Sequence, residues 1–276
     1  MARVKLGFGQ LQASGDKDAN LGRIVGMVHE AAVAGADLVV FPELAMFHVD
    51  DPAVDRQPFA EPLDGRFVTG LREAARRERV GVVCGLLESA PQIPGKVFNS
   101  AVALDRGGAL LGVYRKIHMF DAFGHRESDR NQPGDGELLL FDLGGVRFGV
   151  TICYDLRFPE LFRALAERGA EVILLPTAWV HGRLKELHLA TLARARAIEN
   201  TVYFAAADQV GGLFSGNSEL IDPMGVTVAS IGETEGVIVG AVDTDRVAEV
   251  RAKLPTLQHL RHDIYDRWRR VPEGVA

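Results

Sequence analysis

The sequence predicts an α/β fold that contains many strands. Short apolar runs alternate along the chain with longer amphipathic stretches, which is typical of buried strands separated by surface helices. Several neighbouring runs are joined by short turns that contain glycine, so part of the sheet structure is expected to be antiparallel. No linker rich in proline, serine or glycine divides the chain, and we expect a single domain over residues 1–276.

Hydrophobic spacing predicts the elements of the first half of the chain. Asn20–Ala34 carries apolar residues at helical spacing and is closed by Gly35. Arg66–Arg79 is predicted to be a second helix, with a basic face. The predicted strands of this half are Val4–Gln10, Leu38–Phe41, Val80–Leu87, Ser100–Asp105 and Ala109–Tyr114.

The second half continues the alternation. Helices are predicted over Pro159–Arg168, Leu184–Glu199 and Asp243–Ala252. The least regular stretch, His118–Glu137, is polar and rich in glycine, and a loop of this length in a compact domain is usually functional or disordered. The predicted strands are Leu138–Asp142, Arg147–Cys153, Val172–Pro176, Thr201–Ala207, Ser218–Asp222, Thr227–Ile231 and Val237–Val242.

Composition excludes several classes of protein. The 31 Lys and Arg residues are outnumbered by 37 Asp and Glu residues, and a chain with a net charge of −6 is a poor general nucleic-acid binder. The chain shows neither the apolar core of a signal peptide nor a run long enough to span a membrane. Its two cysteines, Cys84 and Cys153, do not make a disulfide framework. We expect a soluble cytoplasmic protein with no nucleic-acid or membrane partner.

Each of three apolar runs has a reactive side chain at or just past its end. Glu43, Lys116 and Cys153 each follow a predicted buried strand in this way. Functional sites of α/β sheets favour such strand ends. A lysine cation lowers the pKa of a nearby thiol and stabilises an oxyanion, and a glutamate shuttles protons. The three side chains together therefore suit nucleophilic catalysis.

The residues alone leave structural alternatives open. A free cysteine is most often an inert, buried small hydrophobe. Glu43 could cap a helix or pair with a surface cation, and Lys116 could be a solvated loop residue. The sequence does not show by itself that the three side chains meet.

Three blocks around these residues resemble the signatures of the nitrilase superfamily of carbon–nitrogen hydrolases. The blocks are Phe41–Leu44, Tyr114–Phe120 and Thr151–Glu160, and they occur in the family order, with similar gaps of 73 and 37 residues between the three reactive side chains. The resemblance covers essentially the whole chain and continues through Arg194–Asn200, Gly216–Ser218, Asp222–Gly225 and Arg261–Tyr265.

The resemblance implies an α-β-β-α sandwich of two mixed sheets flanked by helices. It also implies a catalytic triad of Glu43, Lys116 and Cys153 that requires no metal and no organic cofactor. Glu127 matches a second glutamate of the family, which would hold Lys116 and help to orient the substrate. The alternative is that Glu127 is a solvated loop carboxylate.

The implied reaction is acyl transfer from a small-molecule amide. The Cys153 thiolate attacks the amide carbonyl, and Lys116 and the backbone N–H of Tyr154 hold the oxyanion. Glu43 takes the thiol proton, gives it to the leaving ammonia, and then activates the water that hydrolyses the thioester.

The block after the nucleophile is similar to the ω-amidase and deaminated-glutathione amidase branch. True nitrilases usually have Cys-Trp-Glu there, whereas this chain has Cys153, Tyr154 and Asp155. The branch implies that Arg157 receives a substrate carboxylate, a task that suits the bidentate geometry of arginine. A structural ion pair between Arg157 and Glu160 is the alternative.

The segment Thr177–Leu189 helps to line the pocket in the family, but departs from the family pattern here. Thr177 and Trp179 are expected to bind substrate, although an aromatic side chain at Trp179 is as compatible with a core position. Leu189 stands where tryptophan is usual, and Arg183 stands where neutral residues are common. The identity of the amide is therefore the part that the sequence determines least.

The resemblance further implies a homodimer or a higher homo-oligomer. Helices 159–168 and 184–200 would form the interface, and a C-terminal segment at about 254–276 would cross to the partner. Two other functions fit the same fold, an N-carbamoyl amine or amino-acid amidohydrolase with the same triad, and a catalytically silent binding protein. The presence of all three triad residues argues against the silent alternative.

Overall fold

The structure, a computed structural model, describes residues 2–51 and 54–269. The prediction of one domain over residues 1–276 extends beyond this part of the chain and stays a prediction. Residues 270–276 of the expected C-terminal crossing segment also lie outside the described residues. None of the described helices is both long enough and apolar enough to cross a membrane.

The helices and strands are numbered in chain order. The helices are α1 (Lys17–Val33), α2 (Arg66–Glu78), α3 (Pro159–Glu167), α4 (Lys185–Asn200), α5 (Thr244–Lys253) and α6 (His262–Arg269). The strands are β1 (Arg3–Gln10), β2 (Leu38–Val40), β3 (Gly81–Ser89), β4 (Val97–Leu104), β5 (Leu110–Arg115), β6 (Leu139–Leu143), β7 (Val146–Val150), β8 (Val172–Thr177), β9 (Tyr203–Asp208), β10 (Val210–Gly211), β11 (Phe214–Ser215), β12 (Glu219–Ile221), β13 (Thr227–Ser230) and β14 (Gly236–Asp243).

Two six-stranded mixed sheets form the middle of the fold. The first has the order β14-β1-β2-β3-β4-β5, and the second has the order β13-β12-β9-β8-β7-β6. Three strands inside each sheet are parallel, β1-β2-β3 in the first and β7-β8-β9 in the second, and their neighbours are antiparallel. The predicted antiparallel pairs β4/β5 and β6/β7 are confirmed.

Two clusters of buried side chains divide the fold into layers. Leu38 and Val40 of β2 belong to a cluster that contains side chains of both sheets and of α3 and α4. Val39 points the other way and belongs to a cluster that contains side chains of α1 and α2. This alternation follows from the period of two along a strand. The prediction of an α/β fold with two mixed sheets flanked by helices is confirmed.

One predicted strand ends before its apolar run does. The run Arg147–Cys153 is predicted as a strand up to the cysteine, but β7 ends at Val150. The backbone N–H of Ile152 donates to Asp155 Oδ2 at 2.9 Å instead of to a neighbouring strand, and Cys153 begins a 3-10 turn. The other predicted strands and helices are present with ends shifted by three residues or fewer.

A glycine in β3 lets the chain that leaves β2 pass close by. A Cβ atom at Gly85 would lie 2.4 Å from the Pro42 carbonyl oxygen and 2.7 Å from Glu43 Cα, and backbone atoms cannot easily yield. The Gly85 N–H donates to the same Pro42 oxygen at 3.1 Å. Close packing at Gly85 therefore determines where the backbone of Glu43 lies.

We expect Gly85→Ala to displace the Glu43 backbone and to lower the free energy of unfolding by about 1–3 kcal/mol, as overpacking does. Gly26→Ala is the matched control, because a Cβ at Gly26 in α1 meets nothing within 4 Å. The control should raise stability by about 0.5–1 kcal/mol, because alanine favours a helix over glycine. Urea unfolding measures the stability of both variants. A Gly85→Ala variant as stable as the wild type would contradict a packing role for Gly85.

Candidate active site

Lys116, which follows β5, lies at the centre of a buried ion cluster. Its ammonium donates to Glu43 Oε1 at 2.9 Å and to Glu127 Oε2 at 2.8 Å, and its side chain is 2% exposed. Burial favours the neutral amine, but the charges of Glu127 and Glu43 outweigh burial and raise the pKa of Lys116 well above its usual value. Lys116 is therefore a buried ammonium and not a solvated loop residue.

Glu43, which follows β2, is held by groups from both sheets. Its Oε1 also accepts a hydrogen bond from Asn99 Nδ2 of β4 at 2.7 Å. Its Oε2 accepts from the backbone N–H of Ala178, just past β8, at 3.0 Å. Its backbone carbonyl accepts from Gln209 Nε2 at 2.9 Å. The side chain is buried, so Glu43 is neither a helix cap nor a partner for a surface cation.

Glu127 accepts hydrogen bonds on both of its carboxylate oxygens. The backbone N–H of Phe120 donates to Oε2 at 2.7 Å. Asn99 Nδ2 and Asn131 Nδ2 donate to Oε1 at 3.1 Å and 2.9 Å. Burial opposes ionisation, but Lys116 and the other donors outweigh burial and lower the pKa of Glu127 to about 2. Glu127 is therefore a buried carboxylate on Lys116 and not a solvated one.

Cys153 has a left-handed backbone conformation, with a φ of 44°. This conformation is strained for any residue but glycine. Asp155 supports the turn, because its Oδ2 accepts from the Ile152 backbone N–H at 2.9 Å and from the Tyr114 hydroxyl of β5 at 2.8 Å. Its Oδ1 lies 2.7 Å from His118 Nδ1. Side chains from the first sheet and its following loop thus hold a turn that leaves the second sheet.

The thiol of Cys153 is protonated in this environment. Burial and the charge of Glu43 raise its pKa well above the usual value, and Lys116, the Thr177 hydroxyl and the Ala178 N–H oppose them only in part. The Thr177 hydroxyl otherwise lacks a hydrogen-bond partner in the described part of the chain. Lys116 does lower the thiol pKa, as expected, but a base is still needed to remove the proton.

A cavity of about 320 Å³ opens above the cluster. Seven of the eight predicted site residues line it, and they include Tyr154, whose backbone N–H lies in the turn that Cys153 begins. The exception is Thr177, which is fully buried beneath the cavity surface. The cavity therefore gives a small molecule access to the thiol, the ammonium and both carboxylates.

Arg157 lines this cavity beside Trp179. Its guanidinium carbon lies 5.0 Å from the centre of the Trp179 ring, and its Nη2 lies 3.5 Å from His188 Nδ1. Trp179 is both part of the core and part of the cavity wall, and its Nε1 donates to the Lys185 carbonyl at 2.8 Å. Within residues 2–51 and 54–269, Arg157 forms no ion pair with Glu160 or another carboxylate. Its guanidinium is available to an anion.

The two departures from the family pattern lie outside the cavity lining. Arg183 is exposed, and Leu189 is buried in the core that includes α4. Neither side chain therefore shapes the cavity by direct contact with its contents.

Sequence reasoning missed several polar residues of the site. Asn99 bridges Glu43 and Glu127, and the only signal for it is a lone amide side chain within the apolar strand β4. Arg56 and Lys185 line the cavity, but no motif or spacing singles them out.

The chain is similar over most of its length to proteins of known family. The family model described as carbon–nitrogen hydrolase matches residues 5–252. The chain is 38% identical over 253 residues to a protein of Escherichia coli O157:H7 named deaminated glutathione amidase, covering 92% of this chain and 95% of that protein. It is 32% identical over 275 residues to an omega-amidase of Homo sapiens, covering 96% of this chain and 98% of that protein.

Solved structures show the same fold. An amidase from Nesterenkonia sp. aligns with a TM-score of 0.81 at 26% identity, covering 97% of each chain. A glutamate-to-glutamine variant of that amidase carries the acetamide moiety of fluoroacetamide, added covalently at its active-site cysteine.

We expect the contribution of Glu127 to stability to be lost in acid. Its pKa is about 2 in the folded protein, below the usual 4.5, so the ionised carboxylate stabilises the fold above pH 4.5 and the effect disappears as the pH falls toward 2. At about pH 6, Glu127→Gln should unfold more easily than the wild type by about 3 kcal/mol. Urea unfolding should show this difference shrinking as the pH is lowered from about 5 to about 3.

Glu73→Gln is the control, because Glu73 is an exposed carboxylate on α2. A difference between Glu127→Gln and the wild type that stays constant across this pH range would contradict an ionised Glu127 in the folded protein.

Proposed function

Because the chain belongs to the carbon–nitrogen hydrolase family and is an amidase, we propose that it hydrolyses a small carboxylate-bearing amide through a thioester on Cys153 and releases ammonia. The observation that carries the proposal is the cluster of Glu43, Lys116 and Glu127 at a cavity that Cys153 also lines. This cluster supplies a base and a cation beside a thiol, and cleavage of an amide by a thiol needs these groups.

Acylation begins with the removal of the thiol proton. Because the resting thiol is protonated, Glu43 takes its proton as the Cys153 sulfur attacks the amide carbonyl carbon. A C–S bond forms, and the Lys116 ammonium and the backbone N–H of Tyr154 stabilise the resulting oxyanion. The C–N bond then breaks, and Glu43 gives its proton to the leaving ammonia.

Deacylation uses the same groups with water as the nucleophile. Glu43 takes a proton from a water molecule that attacks the thioester carbon, and Lys116 again stabilises the oxyanion. The C–S bond breaks, the sulfur recovers the proton, and the acid product leaves. The hydrogen bonds from Asn99 and Ala178 keep the Glu43 carboxylate in one orientation through both half-reactions.

The cavity supports an acyl group that carries its own carboxylate. Arg157 is stacked on Trp179 and has no carboxylate partner in the described ranges, so its guanidinium can accept an anion in bidentate fashion. A relative from Homo sapiens carries the name omega-amidase, and an ω-amide of a dicarboxylic acid is an amide of this kind, which supports the proposal.

We also propose a homodimer or a higher homo-oligomer, located in the cytoplasm. Leu187 and Ile198 expose large apolar side chains on α4, and Met224 exposes another, which supports pairing through this part of the surface. Cys84 and Cys153 are both free thiols, which supports a reducing compartment.

We expect the protein to release ammonia from an ω-amide such as glutaramate, and we expect Cys153→Ala to abolish this release. Loss of the nucleophile should lower kcat by about 10³-fold or more. Assays of ammonia released from ω-amides, N-carbamoyl acids and nitriles measure the activity of the wild type and of the Cys153→Ala variant. Cys84→Ala is the matched control, because Cys84 is fully buried in β3 and does not line the cavity.

The other outcomes of this assay favour other functions. Release from N-carbamoyl acids alone would indicate hydrolysis of N-carbamoyl amines by the same triad. No release from any of these compounds would favour a catalytically silent binding protein.

We expect Arg157→Lys to raise the KM for glutaramate about tenfold or more. Lysine keeps the charge but loses the planar fork and the stacking on Trp179. Steady-state kinetics on glutaramate and on butyramide, which keeps the three aliphatic carbons beyond the amide but lacks the acid, measures the change. An unchanged KM and kcat for glutaramate would rule out a carboxylate clamp at Arg157.

A further inference from the structure

A further buried carboxyl group lies behind the cavity wall. Asp208 is the last residue of β9, its side chain is fully buried, and it does not line the cavity. No step of the proposed mechanism uses it. Burial of a carboxyl group costs free energy unless its oxygens are hydrogen-bonded, so the partners of Asp208 indicate what it does.

The Asp208 carboxyl group joins two segments of the cavity wall. Its Oδ1 accepts a hydrogen bond from the backbone N–H of Trp179 at 2.8 Å, and its Oδ2 accepts from the Ser215 hydroxyl at 2.8 Å. Trp179 lines the cavity, and so does Phe214, the residue before Ser215 in β11. One side chain therefore holds the chain that leaves β8 against the hairpin of β10 and β11.

The segment 177–179 depends on side chains because its pairing with β9 ends there. Thr177 is the last residue of β8 that pairs with β9, and it lies opposite Asp208. Beyond Thr177, two successive backbone N–H groups donate to carboxyl oxygens. Ala178 donates to Glu43 Oε2 at 3.0 Å, and Trp179 donates to Asp208. The Asp208 side chain thus continues the support that the strand gives up to Thr177.

Each residue of this segment contacts a group of the proposed reaction. The Thr177 hydroxyl bonds to the Cys153 thiol. The Trp179 ring centre lies 5.0 Å from the guanidinium carbon of Arg157. The residue between them donates to the base, as described above. A shift of the segment therefore misplaces the nucleophile, the base and the proposed carboxylate clamp together.

Asp208 is itself anchored to the first sheet. Its backbone N–H donates to Ser218 Oγ at 2.8 Å, and the Ser218 hydroxyl donates to Gln10 Oε1 of β1 at 2.7 Å. Gln10 Nε2 donates to the carbonyls of Gly232 and Thr234 at 2.6 Å and 2.8 Å. Side chains with this many partners have little freedom to move, so the Asp208 carboxyl group is a fixed point of attachment.

The Asp208 side chain favours its uncharged form. Burial and the charge of Glu43 raise the pKa of Asp208 well above its usual value, and the hydrogen bonds from Trp179, Ser215 and the Gln209 N–H oppose them only in part. An uncharged carboxyl group holds the segment without adding a second negative charge behind the base. An asparagine amide has the same shape and is also uncharged.

We propose that Asp208 is a positioning residue for the reaction. Its hydrogen bond to Trp179 fixes the segment 177–179, and that segment orients the nucleophile, the base and the clamp. This inference rests on the proposed function and adds to it a residue that touches neither the substrate nor the reacting atoms.

Two substitutions of Asp208 test the proposal. Asp208→Ala removes both side-chain hydrogen bonds. Asp208→Asn keeps an oxygen that accepts from Trp179 and gains an N–H that donates to Ser215 Oγ. Steady-state kinetics on glutaramate and butyramide compares the two variants with the wild type.

Asp37→Ala is the matched control. Asp37 precedes β2, whereas Glu43 follows it, so the two lie at opposite ends of the strand. Its carboxylate accepts from the Lys5 backbone N–H at 2.8 Å and from Arg106 at 2.6 Å, and it does not line the cavity. The control therefore loses carboxylate hydrogen bonds that are far from the site.

We expect Asp208→Ala to lower kcat about 10- to 100-fold on both amides, because Glu43 and Cys153 are misplaced. It should also raise the KM for glutaramate about 2- to 10-fold, the range for one lost hydrogen bond, but not the KM for butyramide, which lacks the acid that Arg157 binds. Asp208→Asn should recover most of both losses. Asp37→Ala should keep the kcat and KM of the wild type. A smaller folded fraction lowers kcat but leaves KM unchanged, so the rise in KM separates positioning from stability.

The fluorescence of Trp179 gives a readout that needs no substrate. The chain has two tryptophans, and Trp268 is exposed on α6, so Trp268→Phe leaves Trp179 as the only tryptophan. In this background Asp208→Ala should shift the emission maximum to longer wavelength, because a loosened ring meets more water. Asp208→Asn should restore the emission of the parent.

Several results would overturn the proposal. Asp208 does not position the segment if folded Asp208→Ala keeps the KM for glutaramate and the Trp179 emission, or if Asp208→Asn is as defective as Asp208→Ala. If Asp208→Ala does not fold, Ser215→Ala replaces it, because it removes one hydrogen bond to the same carboxyl group. It should change KM and emission in the same directions by less, and no change in either would count against the proposal.

Failure of the proposed function gives a different result. If the folded wild type hydrolyses neither amide, the proposed function fails. The emission of Trp179 then still shows whether Asp208 holds the segment, because that measurement does not depend on turnover.

Discussion

The site depends on one buried interaction, the Lys116 ammonium held between Glu43 and Glu127. Removing an ammonium from water costs several kcal/mol, and partners at hydrogen-bond distance must offset that cost. The two carboxylates do so at 2.9 Å and 2.8 Å, and Asn99 bridges them. A backbone N–H that follows β8 of the second sheet, from Ala178, also binds Glu43. The cluster is therefore supported by residues that follow strands of both sheets.

Much of the fold could be predicted because its signals are local. The apolar run of β2, the helical spacing in α1 and the glycine turns between antiparallel strands each lie within a few residues of sequence. The resemblance to the nitrilase superfamily and its omega-amidase branch, which is carried by three short blocks, is confirmed by the family model and the relatives. The strands β10 and β11 were not predicted, because each has only two residues and is too short to show an alternating pattern of apolar and polar residues.

Features that depend on distant contacts could not be predicted in the same way. The apolar run before Cys153 looks like a continuous strand, but Asp155, which the distant Tyr114 hydroxyl also binds, accepts from the Ile152 N–H where the chain turns. The sequence also shows a lysine that should acidify the thiol. The structure shows burial and Glu43 acting against Lys116, and their sum raises the thiol pKa. Burial is a property of the whole fold, so no local pattern could reveal this balance.

The cluster that assembles the site also governs how turnover ends. With Glu43 and Glu127 ionised around one ammonium, the cluster has a net negative charge. In the proposed reaction the amide and the thioester are neutral at the reacting carbon, but the product acid becomes a carboxylate beside two others once it gives its remaining proton to water. Like charges held close together repel strongly in a buried site. The cluster therefore suits the neutral substrate and intermediate better than the ionised product, which favours product release in the proposed reaction.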